Sequence, residues 1–349
     1  MKNIIIQPSI TIRQAMKNLS ESGQKCLVIA NEEKFLLGTL SDGDLRKAIL
    51  KGAAMGDSIK NIYQQKPTVL IEGQYSLPEA KKLFLKHNFD LIPIVNAKGM
   101  FEDVLFLESV LKGRDVQEKK KLEVPVIIMA GGRGTRMEPF TKILPKPLVP
   151  LHEKPIIEHI IQRFTDFGCH EFHLTVNYKG RILKAYFEEL QPDYEIHFVE
   201  EQEPLGTAGS LRFLDGKFNQ SFFVTNCDII IKADYHSLYE FHQKGGYDIS
   251  LVASAKEYII PYGTCELNGE GNLSYIKEKP HYDFLINTGL YILNPDVLKL
   301  IPKNKFYHIT QLIEEAKNRG KKVGVFPIDD NDWIDVGQWA EYQLAEKRL

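Results

Sequence analysis

The sequence predicts an α/β protein in two parts: a duplicated α+β module, then a mostly parallel sheet covered by helices. Two observations point there. The first hundred or so residues carry a weak internal repeat at an offset of 65 residues, and from residue 126 apolar strand-like runs alternate with amphipathic helical stripes. The 349-residue length suits two domains.

In the repeat, Thr11 opens a helical pattern through Ala15 and Leu19, and Ser76 opens its counterpart through Ala80 and Phe84. A hydroxyl residue in that place suits a helix N-cap. Strands follow at 27–31 and 92–96, and a turn leads from the first to a second strand at 36–40. Each unit is too small to fold alone, so the two must pack together. The polar run Lys112–Lys121 has no apolar period, and it precedes the buried strand Val126–Ala130. That seam predicts a first domain over 1–118, a linker over 119–124 and a second domain over 125–349.

In the second part, Ile156, Ile157, Ile160, Ile161 and Phe164 form a helical stripe behind Pro155. Phe172, Leu174 and Val176 alternate as a strand, a helix follows around 181–189, and 221–226 and 248–254 read as buried strands. Ligands of such sheets sit at the carboxyl ends of the strands.

Composition excludes several classes. Lys+Arg 44 against Asp+Glu 46 gives a net charge of −2, so a polyanionic nucleic-acid partner is not expected. No apolar run reaches the roughly 18 residues of a membrane span, and the N-terminal stretch is too short for a signal peptide. Cys26, Cys169, Cys227 and Cys265 show no CxxC spacing, so a reducing cytoplasm is expected. His170 and His173 read as surface residues, His152-Glu153 lacks a zincin partner, and no nucleophile motif is present.

The run Gly38-Thr39-Leu40-Ser41-Asp42-Gly43-Asp44 resembles the end of a CBS motif, and the offset resembles a tandem CBS pair. The resemblance implies that Ser41 and Asp44 hold the ribose of an adenosine nucleotide, or that the module serves only to dimerise. The second copy has Asp103, Phe106 and Ser109 at the places of Gly38, Ser41 and Asp44, so a second nucleotide is not expected.

After strand 126–130 come Gly131-Gly132-Arg133-Gly134-Thr135-Arg136 and, ten residues later, Pro145-Lys146-Pro147. Clustered glycines let backbone N–H groups approach an anion, and a lysine between two prolines presents its ammonium with little backbone freedom. Met137 breaks a dinucleotide fingerprint, and no Gly-Lys-[Ser/Thr] of a Walker loop is present. The segment 131–148 resembles, without a gap, the signature of the sugar-nucleotide pyrophosphorylases. That resemblance spans roughly 124–349 and implies a Rossmann-like nucleotidyltransferase domain.

It further implies that Gly131, Gly132, Gly134 and Thr135 wrap a nucleoside triphosphate, with Gly206 and Thr207 on the nucleotide side. Arg136 would assist the leaving pyrophosphate, and Lys146 would touch the transferred phosphate. Asp228 and Asp335 would hold Mg²⁺, although Cys227 stands where the family has glycine. Glu201 falls at the base-reading position. A carboxylate only accepts, which suits the N1–H and N2–H₂ of guanine and repels a uracil or thymine carbonyl. Gly263, Glu278, Lys279 and Asn287 fall in the sugar-side segments.

The implied reaction is GTP plus a sugar 1-phosphate to a GDP-sugar and pyrophosphate. A CBS pair before a short guanylyltransferase is similar to enzymes making GDP-glucosamine for bacterial legionaminate synthesis, so glucosamine 1-phosphate is one expected acceptor. A mannose- or heptose-type phosphate is another, and a thymidylyl- or uridylyltransferase is the enzymatic alternative. A homo-oligomer is expected, with neither nucleic acid nor membrane as partner.

Overall fold

The computed structural model describes residues 4–87, 89–111, 121–269 and 271–348. The chain divides into two compact units. The first comprises Met1–Glu118, Ala255–Ile286 and Asp329–Asn331, and the second Lys119–Ser254, Asn287–Ile328 and Asp332–Leu349. Residues 112–120, which hold most of the polar run and the first two positions of the linker expected at 119–124, lie outside the described residues. Of the rest, Leu122 and Val124 are buried with the second unit's core, and the Leu122 N–H donates to the Phe167 carbonyl.

In the first unit the repeat is explicit. β1 (Ile5–Ile6), α1 (Ile12–Ser22), β2 (Cys26–Ala30), β3 (Leu36–Ser41) and α2 (Asp42–Leu50) are followed by β4 (Leu70–Ile71), α3 (Leu77–His87), β5 (Leu91–Val95), β6 (Phe101–Phe106) and α4 (Leu107–Leu111). Each copy forms a three-stranded sheet with one parallel and one antiparallel pair. Leu27 faces Leu40 in the first sheet and Ile92 faces Leu105 in the second, so the register repeats with the sequence. Local chemistry repeats too: Thr11 and Gln14 cap α1 reciprocally, as Ser76 and Glu79 cap α3. The stripe Ile12, Ala15, Met16 and Leu19 is buried against β2 and β3.

The stretch 255–286, expected in the second domain, clusters with this first unit. There Arg13 pairs with Asp283 and lies 3.9 Å from Glu257.

The second unit is built on a sheet. β7 (Val126–Met129) leads to the short pair β8 (Pro150–Leu151) and β9 (Lys154–Pro155), then α5 (Ile156–Thr165), β10 (Glu171–Val176), α6 (Gly180–Leu190) and β11 (Glu195–Glu200). β12 (Phe222–Asn226), β13 (Ile229–Ile231), α7 (Tyr235–Gly245) and β14 (Ile249–Ile259) follow. After the hairpin β15 (Thr264–Leu267) and β16 (Leu273–Lys277), part of the first unit, come β17 (His281–Leu293), α8 (Ile309–Asn318), β18 (Val323–Asp329), β19 (Trp333–Asp335) and α9 (Trp339–Arg348).

The sheet order is β11-β10-β7-β12-β17-β14-β18. β11, β10, β7 and β12 are parallel, whereas β12 and β17 are antiparallel. Both faces are covered: Val126, Ile128 and Phe223 point into one core with α5 and α7, while Ile127, Phe222 and Val224 point into another with α8. Burial on both sides is why these strands read as unbroken apolar runs. Among the described residues no helix is long and apolar enough to cross a membrane.

Two polar details of this unit matter. His242 is buried; its Nδ1 takes the Ser250 hydroxyl at 2.8 Å and its Nε2–H donates to Asn294 Oδ1 at 3.0 Å. His173, expected at the surface, is 5% exposed, because it projects onto the covered face between Phe218 and Ile127. Burial pushes both imidazoles below the ordinary histidine value.

Two outcomes are expected. Phe164 is buried against the rings of Phe172, Phe223 and Tyr235, so Phe164→Ala lowers stability by about 3–5 kcal/mol in urea unfolding followed by tryptophan fluorescence. For His242, the unfolded chain takes up a proton near the ordinary value while the folded chain resists it. Stability therefore rises with pH through that window and is lost on acidification. The urea midpoint should fall between about pH 7.5 and about pH 5.5, and His242→Gln should flatten part of that fall, His173 supplying a remainder of the same sign.

Candidate active site

The carboxyl ends of β7 and β12, adjacent and parallel, bring the glycine loop and Asp228 to one edge of the sheet. The left-handed backbone of Gly134 (φ 68°) turns the loop, and its carbonyl accepts the Thr141 hydroxyl at 2.9 Å. A Cβ there would meet Thr141 and Lys146, so glycine is required by space as well as by φ. Gly132 faces open space, and nothing within the protein demands glycine there. Thr135 and Arg136 lie exposed on a short 3-10 turn.

Asp335 arrives from the other end of the unit through strand pairing. β13 and β19 are antiparallel with Ile229 opposite Asp335, and the Val336 N–H donates to the Asp228 carbonyl. The register itself sets the two acids side by side. Lys146 is 7% exposed, and its Nζ donates to Asp228 Oδ2 at 2.5 Å.

Gly337 closes the cluster. A Cβ on it would lie 2.6 Å from Asp228 Oδ2, 2.8 Å from Asp335 Oδ1 and 3.2 Å from Lys146 Nζ. One point thus falls within ion-ligating or hydrogen-bonding reach of two carboxylates and an ammonium. Burial raises the Asp335 carboxyl above its ordinary value; the Gly337 N–H donating at 2.6 Å opposes this, the neighbouring Asp228 adds to it, and Lys146 and Arg136 oppose it. An all-oxygen donor pair in a glycine-lined gap fits a small, hard divalent cation. Cys227 is buried just before Asp228, and burial pushes its thiol up to about 12, so it stays protonated.

Glu201 is 8% exposed rather than solvated among its acidic neighbours. Its Oε1 would lie 2.9 Å from a Cβ on Gly131, and its Oε2 accepts the Leu205 N–H at 3.1 Å. Asn177, at the carboxyl end of β10, donates to the Glu201 carbonyl at 2.8 Å. Asn177 and Thr141 escaped the sequence reading; their only signal is position, just past strand or loop ends that face ligands. Gly206 (φ 78°) lies against the Tyr307 backbone, and the Thr207 hydroxyl accepts the Ile309 N–H at 3.0 Å, so both brace α8. Asn287 donates to the Tyr291 hydroxyl at 2.8 Å near Gly289, which packs on Asn226.

The other expected sugar residues belong to the first unit. There Glu278 Oε2 would lie 2.9 Å from a Cβ on Gly263, and Lys279 has a left-handed backbone (φ 43°) on an exposed turn. Ser41 and Asp44, also in that unit, form a reciprocal cap on α2: the Ser41 hydroxyl and N–H donate to Asp44 Oδ2 at 2.6 and 3.0 Å, and the Asp44 N–H returns to Ser41 Oγ at 3.1 Å.

Residues 125–349 match the nucleotidyl transferase family, and residues 1–51 match the CBS domain. Mannose-1-phosphate guanyltransferase of Aspergillus fumigatus is 38% identical over 222 residues, covering 61% of this chain and 60% of that protein. Mannose-1-phosphate guanyltransferase 2 of Candida glabrata is 34% identical over 222 residues, covering 61% of each. The chain therefore spans about 60% of the length of these curated relatives. Among solved structures, HddC of Yersinia pseudotuberculosis shares the fold at 24% identity, with a TM-score of 0.51 over 64% of this chain and 99% of that one. The inositol-1-phosphate CTP transferase of T. maritima shares it at 19% identity, with a TM-score of 0.50 over 65% and 97%. With the family matched over more than half its length and the loop, lysine and paired aspartates at one sheet edge, this chain belongs to the nucleotidyl transferase family.

Proposed function

We propose that this chain transfers the guanylyl group of GTP to a sugar 1-phosphate and releases pyrophosphate. The observation that carries the reading is the point at Gly337 within 3.2 Å of Asp228, Asp335 and Lys146, beside a glycine loop. An acceptor phosphate and a triphosphate repel each other, and such a cluster is what brings them together. Asp228 and Asp335 are the residues that would hold a divalent cation, Mg²⁺ by its preference for oxygen ligands. When bound, that cation neutralises charge on both reacting phosphates.

The chain's own groups do the rest. Backbone N–H groups at Gly131–Gly134 orient the triphosphate. Lys146 offers its ammonium to the phosphate being transferred, and Arg136 offsets charge on the pyrophosphate as the bond from the α-phosphorus to the bridging oxygen breaks. An oxygen of the sugar phosphate forms the new bond in line, so no protein nucleophile is needed.

Guanine is the proposed base because the Glu201 carboxylate is buried and has about four lone-pair sites, of which Leu205 occupies one. The relatives' names, which specify guanyl transfer, favour the same base. Those names favour mannose 1-phosphate as acceptor, and we propose a mannose-type phosphate ahead of the glucosamine phosphate expected from the domain arrangement.

Two measurements test this. In a panel of GTP, ATP, UTP and dTTP with mannose 1-phosphate, read by pyrophosphate release, GTP should be used best. Glu201→Gln should lower kcat/KM for GTP by about tenfold or more and raise relative use of UTP or dTTP; a wild-type preference for UTP or dTTP removes the guanylyl reading. For the cation, Asp335→Asn is cleaner than a change at Asp228, since asparagine can still accept the Gly337 N–H and Lys146 keeps its partner. It should weaken the Mg²⁺ dependence of the rate by about 10- to 100-fold or more. An unchanged Mg²⁺ profile refutes the metal assignment.

A further inference from the structure

A second cluster lies at the opposite, amino ends of two strands of the same unit. β10 begins Glu171-Phe172-His173 and β11 begins Glu195-Ile196-His197, and their parallel register sets Glu171 opposite Glu195 and His173 opposite His197. Residues two apart on a strand share a face, so these four side chains lie on one side of the sheet, and three of them bring ligand atoms close together. The two imidazoles stack with centroids 4.8 Å apart and planes 28° apart.

His173 is the informative member. Its Nε2 lies 2.8 Å from Glu171 Oε1, which makes Nε2 the donor and leaves the lone pair on Nδ1. That Nδ1 is buried and has no hydrogen-bond partner among the described residues. A buried polar atom left without a partner in a well-packed protein calls for an explanation. One donor atom from each of Glu171, His173 and His197 can be chosen so that all lie within 4.8 Å of one another.

We propose that His173, His197 and Glu171 form a binding site for a divalent cation of the zinc class, with Glu195 beside His197 adding negative charge. Two imidazole nitrogens with carboxylate oxygen suit zinc and its neighbours rather than magnesium, which prefers oxygen alone. Zinc–nitrogen bonds are about 2.0–2.1 Å, so Glu171 Oε1 and His173 Nε2 share a cation only in place of the hydrogen bond between them, the ring proton passing to the unpartnered Nδ1 as the ligands draw together. The half-exposed side chains of His197 and Glu171 have that freedom, while His173 is held by packing against Phe218. Lys217 also faces His173 and opposes a cation, but the carboxylates of Glu171 and Glu195 outweigh its single charge. A cation here fastens β10 to the edge strand β11 at their roots. The other ends of these strands run into Asn177 and Glu201, so the clasp stiffens the support of the base-side carboxylate.

The test uses the full chain, stripped with chelator and dialysed into buffer with excess Mg²⁺. Calorimetric titration with ZnCl₂ should show one equivalent bound. His197→Gln, a change at a half-exposed residue, should weaken that binding at least about tenfold, and His173→Asn should do the same. Asp335→Asn should leave it intact, which separates this site from the proposed catalytic one. Co²⁺ in place of zinc should give visible d–d bands without a thiolate charge-transfer band. No zinc uptake, uptake unchanged in His197→Gln, loss only in Asp335→Asn, or a thiolate band pointing to exposed Cys265 would each overturn the assignment.

Discussion

Everything at the candidate site depends on holding two carboxylates and an ammonium against one glycine. Like charges a few ångströms apart in a partly buried site repel strongly, and taking them out of water adds a further cost. Lys146 relieves part of that by pairing with Asp228, and the Gly337 N–H relieves part of it at Asp335. The rise of the Asp335 carboxyl, driven by burial and added to by Asp228, records what is left over. A cluster of this kind costs folding stability, a cost that fits the proposed meeting of polyanionic substrates and a cation.

The topology explains how the residues come to meet. Asp228 lies just past β12, next to the strand that feeds the glycine loop, and the two-stranded β13–β19 ribbon returns Asp335 to it from far along the chain. A one-residue slip in that ribbon would turn Asp335 to the opposite face and break the cluster. The short ribbon sets the geometry of the candidate site despite its size. The network of buried His242, Ser250 and Ser221 with Asn294 and the exposed Gln243 lies away from it, and it ties α7 to the sheet with its polar atoms matched.

Much of this was legible in the residues. The 65-residue offset emerged as matching helices, strands and bulges, because turn chemistry and caps repeat along with the apolar pattern. The glycine loop and lysine were legible because their spacing is a motif, whereas Asp228 and Asp335, far apart in the chain, were expected only through the family resemblance. His173 was not: alternation on a strand marks which residues share a face, but says nothing of whether a loop such as that around Phe218 will cover it. Asn177 and Thr141 were hidden for a related reason, since single hydrogen bonds to backbone carbonyls leave no periodic trace. Nor does periodicity tell which unit a long hairpin joins, as Arg13 and Asp283 illustrate.

The duplicated module separates what a fold needs from what a ligand needs. In the first copy Ser41 and Asp44 cap α2 reciprocally. In the second, the Phe106 N–H donates to Ser109 Oγ and the Ser109 hydroxyl donates back to the Phe106 carbonyl, so one serine does the local work of two residues. The strand-to-helix turn survives the exchange, which shows that the backbone does not require the carboxylate. Asp44 therefore retains a chemistry its counterpart has given up. Its Oδ2 is engaged by the Ser41 hydroxyl and N–H, so any ribose hydroxyl approaching that oxygen must compete with the cap of α2. A ligand taking that oxygen would draw on the same hydrogen bonds that order the helix start.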